Sequence, residues 1–471
     1  MIHRIKALPL LWWIFSGALI VLLGWLSTRT SPILLFGGLG CVLIGMLIIN
    51  NPWHGMLLFI FFLPFERIGS YDFAGSTIRP SQIIALCIMI SLVVNGLGTR
   101  RFRLPKNPIV WPIIIFLFVN VCGLFNAPNL DRSVLVFCFT IFTIAIGLMI
   151  PFLVQNTTQL QQLLTWYFIS LFLVCVFGLY QFVGDLIGLP TALTGLRELY
   201  TKEVLGFPRV QSTALEPLYF ANYLLAPLSI VISLFIAQVK KCTPLQLLVI
   251  AGIGVLNLLL TVARGGYIAF GISIGLILCY YFFQRQLLSM RTITSALVAF
   301  VFGVIIVFRF IGIDTLSENF LGHVTNIFSG ASYSERVEMF EVALVAFHTH
   351  PIIGIGPGSF GPYESGHPYI IPDQGWHIVN NEYLELLAET GVLGFGSMIL
   401  VFLIVLVRSL KAIQRAQDAF VRAVLVGATT AFVAILVQYN TFSILYIVHV
   451  WFTIGLLIAL QNMVLLKRHS L

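Results

Sequence analysis

The chain has 471 residues, 59% of them hydrophobic and only 9% charged, and its mean hydropathy is +1.00. Soluble domains carry about 25% charged residues, so no long soluble domain is expected. The net charge of +8 calls for no nucleic-acid partner, because in a membrane protein the distribution of charge across the bilayer is what matters.

Apolar runs that reach the roughly 20 residues of a membrane-crossing helix recur along the chain. Spans are expected near 10–28, 32–50, 52–65, 80–98, 108–126, 133–154, 162–184, 217–238, 245–263, 265–283, 292–312, 391–409, 420–440 and 442–466. The fold class is therefore an all-α polytopic membrane protein with about 12–14 transmembrane helices. The first run follows Arg4 and Lys6 as in a signal peptide but lacks a small-x-small cleavage site, so it reads as an uncleaved span. Pro52, Pro80, Pro108, Pro217 and Pro244 fall at or near span starts, where proline costs a helix least. The seven cysteines avoid the long polar loops, which argues against a disulfide framework or a thiolate metal site.

Alternate loops then divide sharply by charge. Lys and Arg crowd the set containing 99–107, 239–244, 284–291, 410–419 and both termini, where Asp418 is the single acid. This bias puts those loops and both termini in the cytoplasm. Four regions follow: membrane helices over 1–184; helices over 185–312, with an outer loop at 185–216 and an outer hairpin near Arg264; a large outer loop at 313–390; and C-terminal helices over 391–471.

The outer segments carry the polar chemistry. In "GFPRVQSTALEPLYFANYL", Arg209 reads as an interfacial arginine and Glu216 as an acid at a helix start. Arg264 interrupts "LLLTVARGGYIAF" between two apolar runs. "ASYSERVEMFEVALVAFHTH" reads as an amphipathic surface helix with an apolar stripe of Val337, Phe340, Leu344 and Phe347, and Arg336 lies near its start. "HPIIGIGPGSFGPY" holds glycines whose bare amides could approach an anion, although it is no Walker loop. In "WHIVNNEYLELLAETGVLGFG", Glu382, Glu385 and Glu389 form one helical stripe that reads as a solvated face. His377, Asn380 and Asn381 stand just before that helix or in its first turn, and Gly391 marks a kink. His323, His348, His350, His367 and His377 include no pair backed by a carboxylate at ligand spacing, so no metal site is expected.

Four of these stretches, in order, resemble the bacterial O-antigen ligase and O-antigen polymerase superfamily. "RVQSTALEPLYFANYL" is similar to its Arg-x-x-Gly-Thr-x-x-x-Pro-x-x-Phe-Ala pattern. "TVARGGYIAF" is similar to its Thr-x-Ser-Arg-Gly hairpin, with Ala263 in place of Ser. "ERVEMFEVALVAFHTHPIIGIGPGSF" is similar to its Arg-helix-Pro-x-x-Gly-x-Gly-x-Gly-x-Phe block, and "NNEYLELLAETGVLG" to its His-Asn-x9-Gly-x-x-Gly close. The resemblance covers residues 205–400.

It implies an inner-membrane glycosyltransferase working on the outer face without metal, cofactor or nucleotide sugar. The implied donor is a glycan on undecaprenyl diphosphate, and the acceptor is a sugar hydroxyl on a glycan or glycolipid. Arg209, Arg264 and Arg336 match the family's arginines, and arginine forks suit the oxygens of a diphosphate leaving group. Asn380 stands where ligases carry histidine. Spacing of nearly one helical turn makes His377 the candidate base in its place, with Glu216 as the rival. Two other classes compete. A lipid or polysaccharide transporter would ordinarily show ionisable residues in span centres, where only His449 lies deep. A non-catalytic assembly subunit would need none of these motifs.

Overall fold

The computed structural model describes residues 44–65, 71–73, 76–99, 107–239, 241, 243–284, 331–372, 375–443 and 445–466. The expected spans at 10–28 and 292–312, most of 32–50 and the stretch 313–330 lie outside the described residues. Twelve longer helices are labelled here. They are α1 Pro52–Phe62, α2 Pro80–Thr99, α3 Val110–Gly123, α4 Leu130–Leu153, α5 Thr157–Leu186, α6 Pro217–Ile236, α7 Pro244–Leu260, α8 Arg264–Phe283, α9 Ala331–Thr349, α10 Glu382–Arg415, α11 Ala419–Gln438 and α12 Val448–Leu465. Among the described residues seven of them (α4, α5, α6, α8, α10, α11 and α12) are long and apolar enough to cross a bilayer, and α1, α2, α3 and α7 add shorter apolar stretches. The chain is an all-α polytopic membrane protein. The one departure among the described residues is a small antiparallel hairpin between α1 and α2, pairing Tyr71–Phe73 with Ser76–Ile78.

Helix ends follow local capping rather than hydropathy alone. α4 and α5 begin several residues before their apolar runs because Asn129 and Asn156 cap them, accepting from the amides of Arg132 at 3.0 Å and Gln159 at 2.9 Å. α12 begins later than its apolar run, at Val448, because the carbonyl of Tyr439 and the amide of Leu445 serve the start of α10 instead.

The most buried helices are α6, α11 and α12. α6 and α8 pack on α11, α4 on α12, α3 on α10, and α5 on α7 and α1. With lipid outside and no hydrophobic drive between helices, close packing has to come from small residues. A Cβ at Gly455 of α12 would come within 2.3 Å of the carbonyl oxygen of Gly147 in α4.

Gly391 breaks α10 as the sequence suggests, with φ 60° and ψ −170°. The segment 382–390 therefore lies before the spanning part of α10. The break frees backbone groups that the 351–356 loop takes up. Val392 N donates to Pro351 O at 2.9 Å, Ile355 N to Ala388 O at 3.0 Å, and Gly356 N to Glu389 O at 2.9 Å. Irregular backbone at membrane depth persists only where protein satisfies it in this way.

α9 packs on α10, but not through the expected stripe. Its buried face is Met339, Ala343 and Ala346, set against Ile355, Phe360, Val379 and Ala388. Val337, Phe340 and Phe347 are half-buried, and Leu344 is exposed. The smaller side chains let α9 approach the broken helix closely, with Phe340 of the bulkier stripe packed at the edge of the contact.

Candidate active site

One end of the bundle gathers the polar segments: the α3–α4 corner, the loop before α6, the α7–α8 hairpin, the 350–381 stretch and the α11–α12 connection. Asn126 Nδ2 donates to Gly354 O at 2.9 Å, Val210 N to Leu260 O at 2.9 Å, and Glu382 N to Tyr439 O at 2.8 Å. This is the grouping that alternate loops predict for a single face.

The three arginines converge there from three separate segments. Arg209 lies in the loop before α6. Its Nε donates to Thr261 O at 3.0 Å, its Nη2 to Val262 O at 3.4 Å, and its guanidinium lies 5.6 Å from the ring centre of Tyr200. It thus clasps the hairpin that presents Arg264, the first residue of α8. Burial lowers the pKa of Arg209, Tyr200, Tyr267 and Glu216 oppose that shift, and Arg264 adds to it. Burial also lowers that of Arg336, and there Arg264 is the next cause. Arg264 is therefore within electrostatic reach of both others. Arginine stays charged regardless, so the fold holds like charges together in a partly desolvated place.

Backbone strain borders the same place. Five non-glycine residues among those described have positive φ: Ser212, Leu215, Gln238, Val262 and Asn380. Ser212 and Leu215 lie between Arg209 and Glu216, and Val262 is two residues before Arg264. A branched residue such as Val262 at φ 52° is a rare conformation, and such outliers concentrate at functional sites.

Glu216 is the N-cap residue of α6, but its side chain makes no capping hydrogen bond. Its charge instead bears on Arg209. Asn381 is a structural cap, accepting from Leu384 N at 3.1 Å. Asn380 has φ 57°, a region that asparagine and histidine both enter comparatively readily, so backbone geometry does not account for asparagine at that position.

The helical argument for His377 fails. α10 starts at Glu382 and residues 375–379 are not helical, so His377 and Asn380 share no helical face. The structure supplies a different context. His377 Nδ1 lies 3.2 Å from Glu364 Oε2; the imidazole is about half exposed and the carboxylate is largely covered. A carboxylate on Nδ1 orients the ring and leaves Nε2 as the nitrogen not engaged by Glu364, as in an oriented general base.

Two further expectations are overturned. Glu382, Glu385 and Glu389 are no solvated face; all three are buried, at 3%, 9% and 3% exposure. The glycine-loop amides are not open to a ligand. Gly354 N donates to His350 O, while Gly358 N and Phe360 N donate to Glu389 Oε2 at 2.8 Å and Oε1 at 3.1 Å. The loop does bind an anion, and that anion is the chain's own carboxylate. Tyr446 OH also donates to Glu389 at 3.1 Å, Val379 N to Glu385 at 3.1 Å, and Leu445 N to Glu382 at 3.0 Å. Burial, then Glu385, pushes the Glu389 carboxyl up to about 7 against these donors. Sequence reasoning passed over Arg132, whose Nε donates to Gly358 O at 2.8 Å, as well as Glu364 and Tyr446. The sequence did not mark them, because the partners of Arg132 and Tyr446 lie far away along the chain.

Residues 248–399 match the family described as O-antigen ligase. That range holds Arg264, Arg336, His377, Asn380 and Asn381, and it leaves out Arg209 and Glu216. An uncharacterized protein of Haemophilus influenzae is 27% identical over 229 residues, 45% of this chain and 55% of the relative, so the chain spans about half of that relative's length. The chain is thus a multi-pass helical membrane protein in which one segment, carrying two of the three arginines, is similar to the O-antigen ligase family.

Proposed function

We propose that the protein transfers or polymerises a glycan from an undecaprenyl-diphosphate donor onto a sugar hydroxyl of a glycan or glycolipid acceptor. The work takes place on the outer face of the bacterial cytoplasmic membrane. The observation that carries this reading is the convergence of Arg209, Arg264 and Arg336 at one end of the bundle. A departing diphosphate develops charge, and preorganised arginines in a partly desolvated site stabilise it most where it grows. The chemistry breaks the bond from the anomeric carbon to the diphosphate oxygen and forms one to the acceptor oxygen. The acceptor proton goes to a base.

His377, oriented by Glu364, is our candidate for that base, and Glu216 is the rival. A positioned base contributes roughly 10²–10⁴ in rate. The test is transfer by the purified, reconstituted protein between a lipid-diphosphate glycan and a glycan acceptor. His377→Gln is expected to lose about a hundredfold, and Glu364→Gln a smaller part of that. Near-parental turnover in His377→Gln with a selective loss in Glu216→Gln moves the role to Glu216. Translocation of the lipid without transfer would replace the whole reading with a transporter.

A further inference from the structure

We infer that Glu389 and Arg132 are positioning residues, which hold the glycine-rich loop so that Glu364 meets His377. This rests on the reading of His377 as the base and adds what sets its place.

The connection can be followed atom by atom. Glu389 accepts from Gly358 N and Phe360 N, the second of which opens the short helix Phe360–Glu364. That helix ends on Glu364, whose carboxylate reaches His377. Arg132 grips the loop from the other side. Its Nε donates to Gly358 O at 2.8 Å, and its guanidinium lies 5.5 Å from the ring centre of Trp376, the neighbour of His377. Ser133 Oγ and Ser359 Oγ lie 2.9 Å apart and add a further tie. Trp376 in turn fits only because residue 361 is glycine, where a Cβ would come within 2.6 Å of the Trp376 Cβ.

The two charged groups therefore hold Gly358 from both sides: a carboxylate on its amide and on that of Phe360, a guanidinium on its carbonyl. They also attract each other, because Glu389 and then Tyr446 and Glu385 bear on the charge of Arg132. A glycine-rich segment has unusual conformational freedom, and its order must come from such contacts. Both carboxylate oxygens are used, one per amide. A primary amide at position 389 could accept from only one of them and would face the other with its own N–H groups.

The experiment uses full-length purified protein. Glu389→Gln is compared with the parent for backbone hydrogen exchange over 356–364, and for kcat and KM with the lipid-diphosphate donor, normalised to donor-binding-competent protein. His377→Gln is run alongside. Tyr446→Phe, which removes one donor from Glu389 and keeps both amides, serves as a milder variant should Glu389→Gln fold poorly. The expected result for Glu389→Gln is about tenfold faster exchange in the loop and about tenfold lower kcat, with KM for the donor within about twofold. Tyr446→Phe should move both quantities in the same direction by less. A loss confined to the amount of folded protein, with parental kcat per competent molecule, would overturn the positioning role while leaving His377 in place. A rigid loop in Glu389→Gln would also overturn it. Parental kcat in His377→Gln would remove the base reading, and the positioning claim with it.

Discussion

At one end of the bundle the same fold gathers three glutamates from one helix and three arginines from three distant segments. Glu382, Glu385 and Glu389 come from one helical stripe, and each is buried and spends its oxygens on protein donors: the amides of Leu445, Val379, Gly358 and Phe360 and the hydroxyl of Tyr446. Arg209, Arg264 and Arg336 come from three distant segments and are held near one another. A buried charge that is fully hydrogen-bonded has been used up in building the structure. Like charges gathered in one place raise the energy of the protein by themselves, and an anion brought among them lowers it. On the function proposed above, the glutamate cluster is architecture and the arginine cluster is where the donor's diphosphate would sit.

That contrast can be broken by substitutions whose effects should fall in different measurements. Arg132→Ala removes the guanidinium from Gly358 O and from beside Glu389 and Glu385. A hydrogen bond to a charged group contributes roughly 1.5–3 kcal/mol. Arg132→Ala should therefore lower resistance to thermal unfolding in detergent by about that amount, read from the unfolding midpoint. An unchanged midpoint would place Arg132 with the arginines proposed to bind the donor instead. Asn381→Ala is the smaller case. It removes the cap on Leu384 N and should cost about 1 kcal/mol of stability. Donor affinity should stay at the parental value. A selective loss of donor binding would make Asn381 a ligand contact and blur the division.

Much of the fold was legible in the sequence because apolar length and charge asymmetry are local signals. The proline-led starts of α1, α6 and α7 and the break at Gly391 were readable for the same reason. The arginines were legible as motifs, yet their meeting was not, because it depends on how segments more than fifty residues apart fold back. The glutamate stripe was misread for a related reason. Its period predicts a shared face but cannot say what covers that face, and here the cover comes from the glycine loop and the α11–α12 connection. His377 was singled out on a helical spacing that does not exist; its partner Glu364 lies thirteen residues earlier, at the end of the short helix Phe360–Glu364.

The central question is whether the arginine cluster receives the diphosphate. The decisive measurement is equilibrium binding of a lipid-diphosphate glycan to reconstituted parent, Arg264→Ala, Arg264→Lys and Arg336→Ala, with unfolding midpoints recorded on the same preparations. Removing one partner of a desolvated charge contact costs roughly 2–5 kcal/mol. Arg264→Ala and Arg336→Ala should thus lose donor affinity by well over about tenfold at parental midpoints, and Arg264→Lys should recover only part, since it lacks the two-pronged fork. Parental donor affinity in Arg264→Ala, with folding intact, would contradict the account and leave Arg264 as an anchor at the membrane interface.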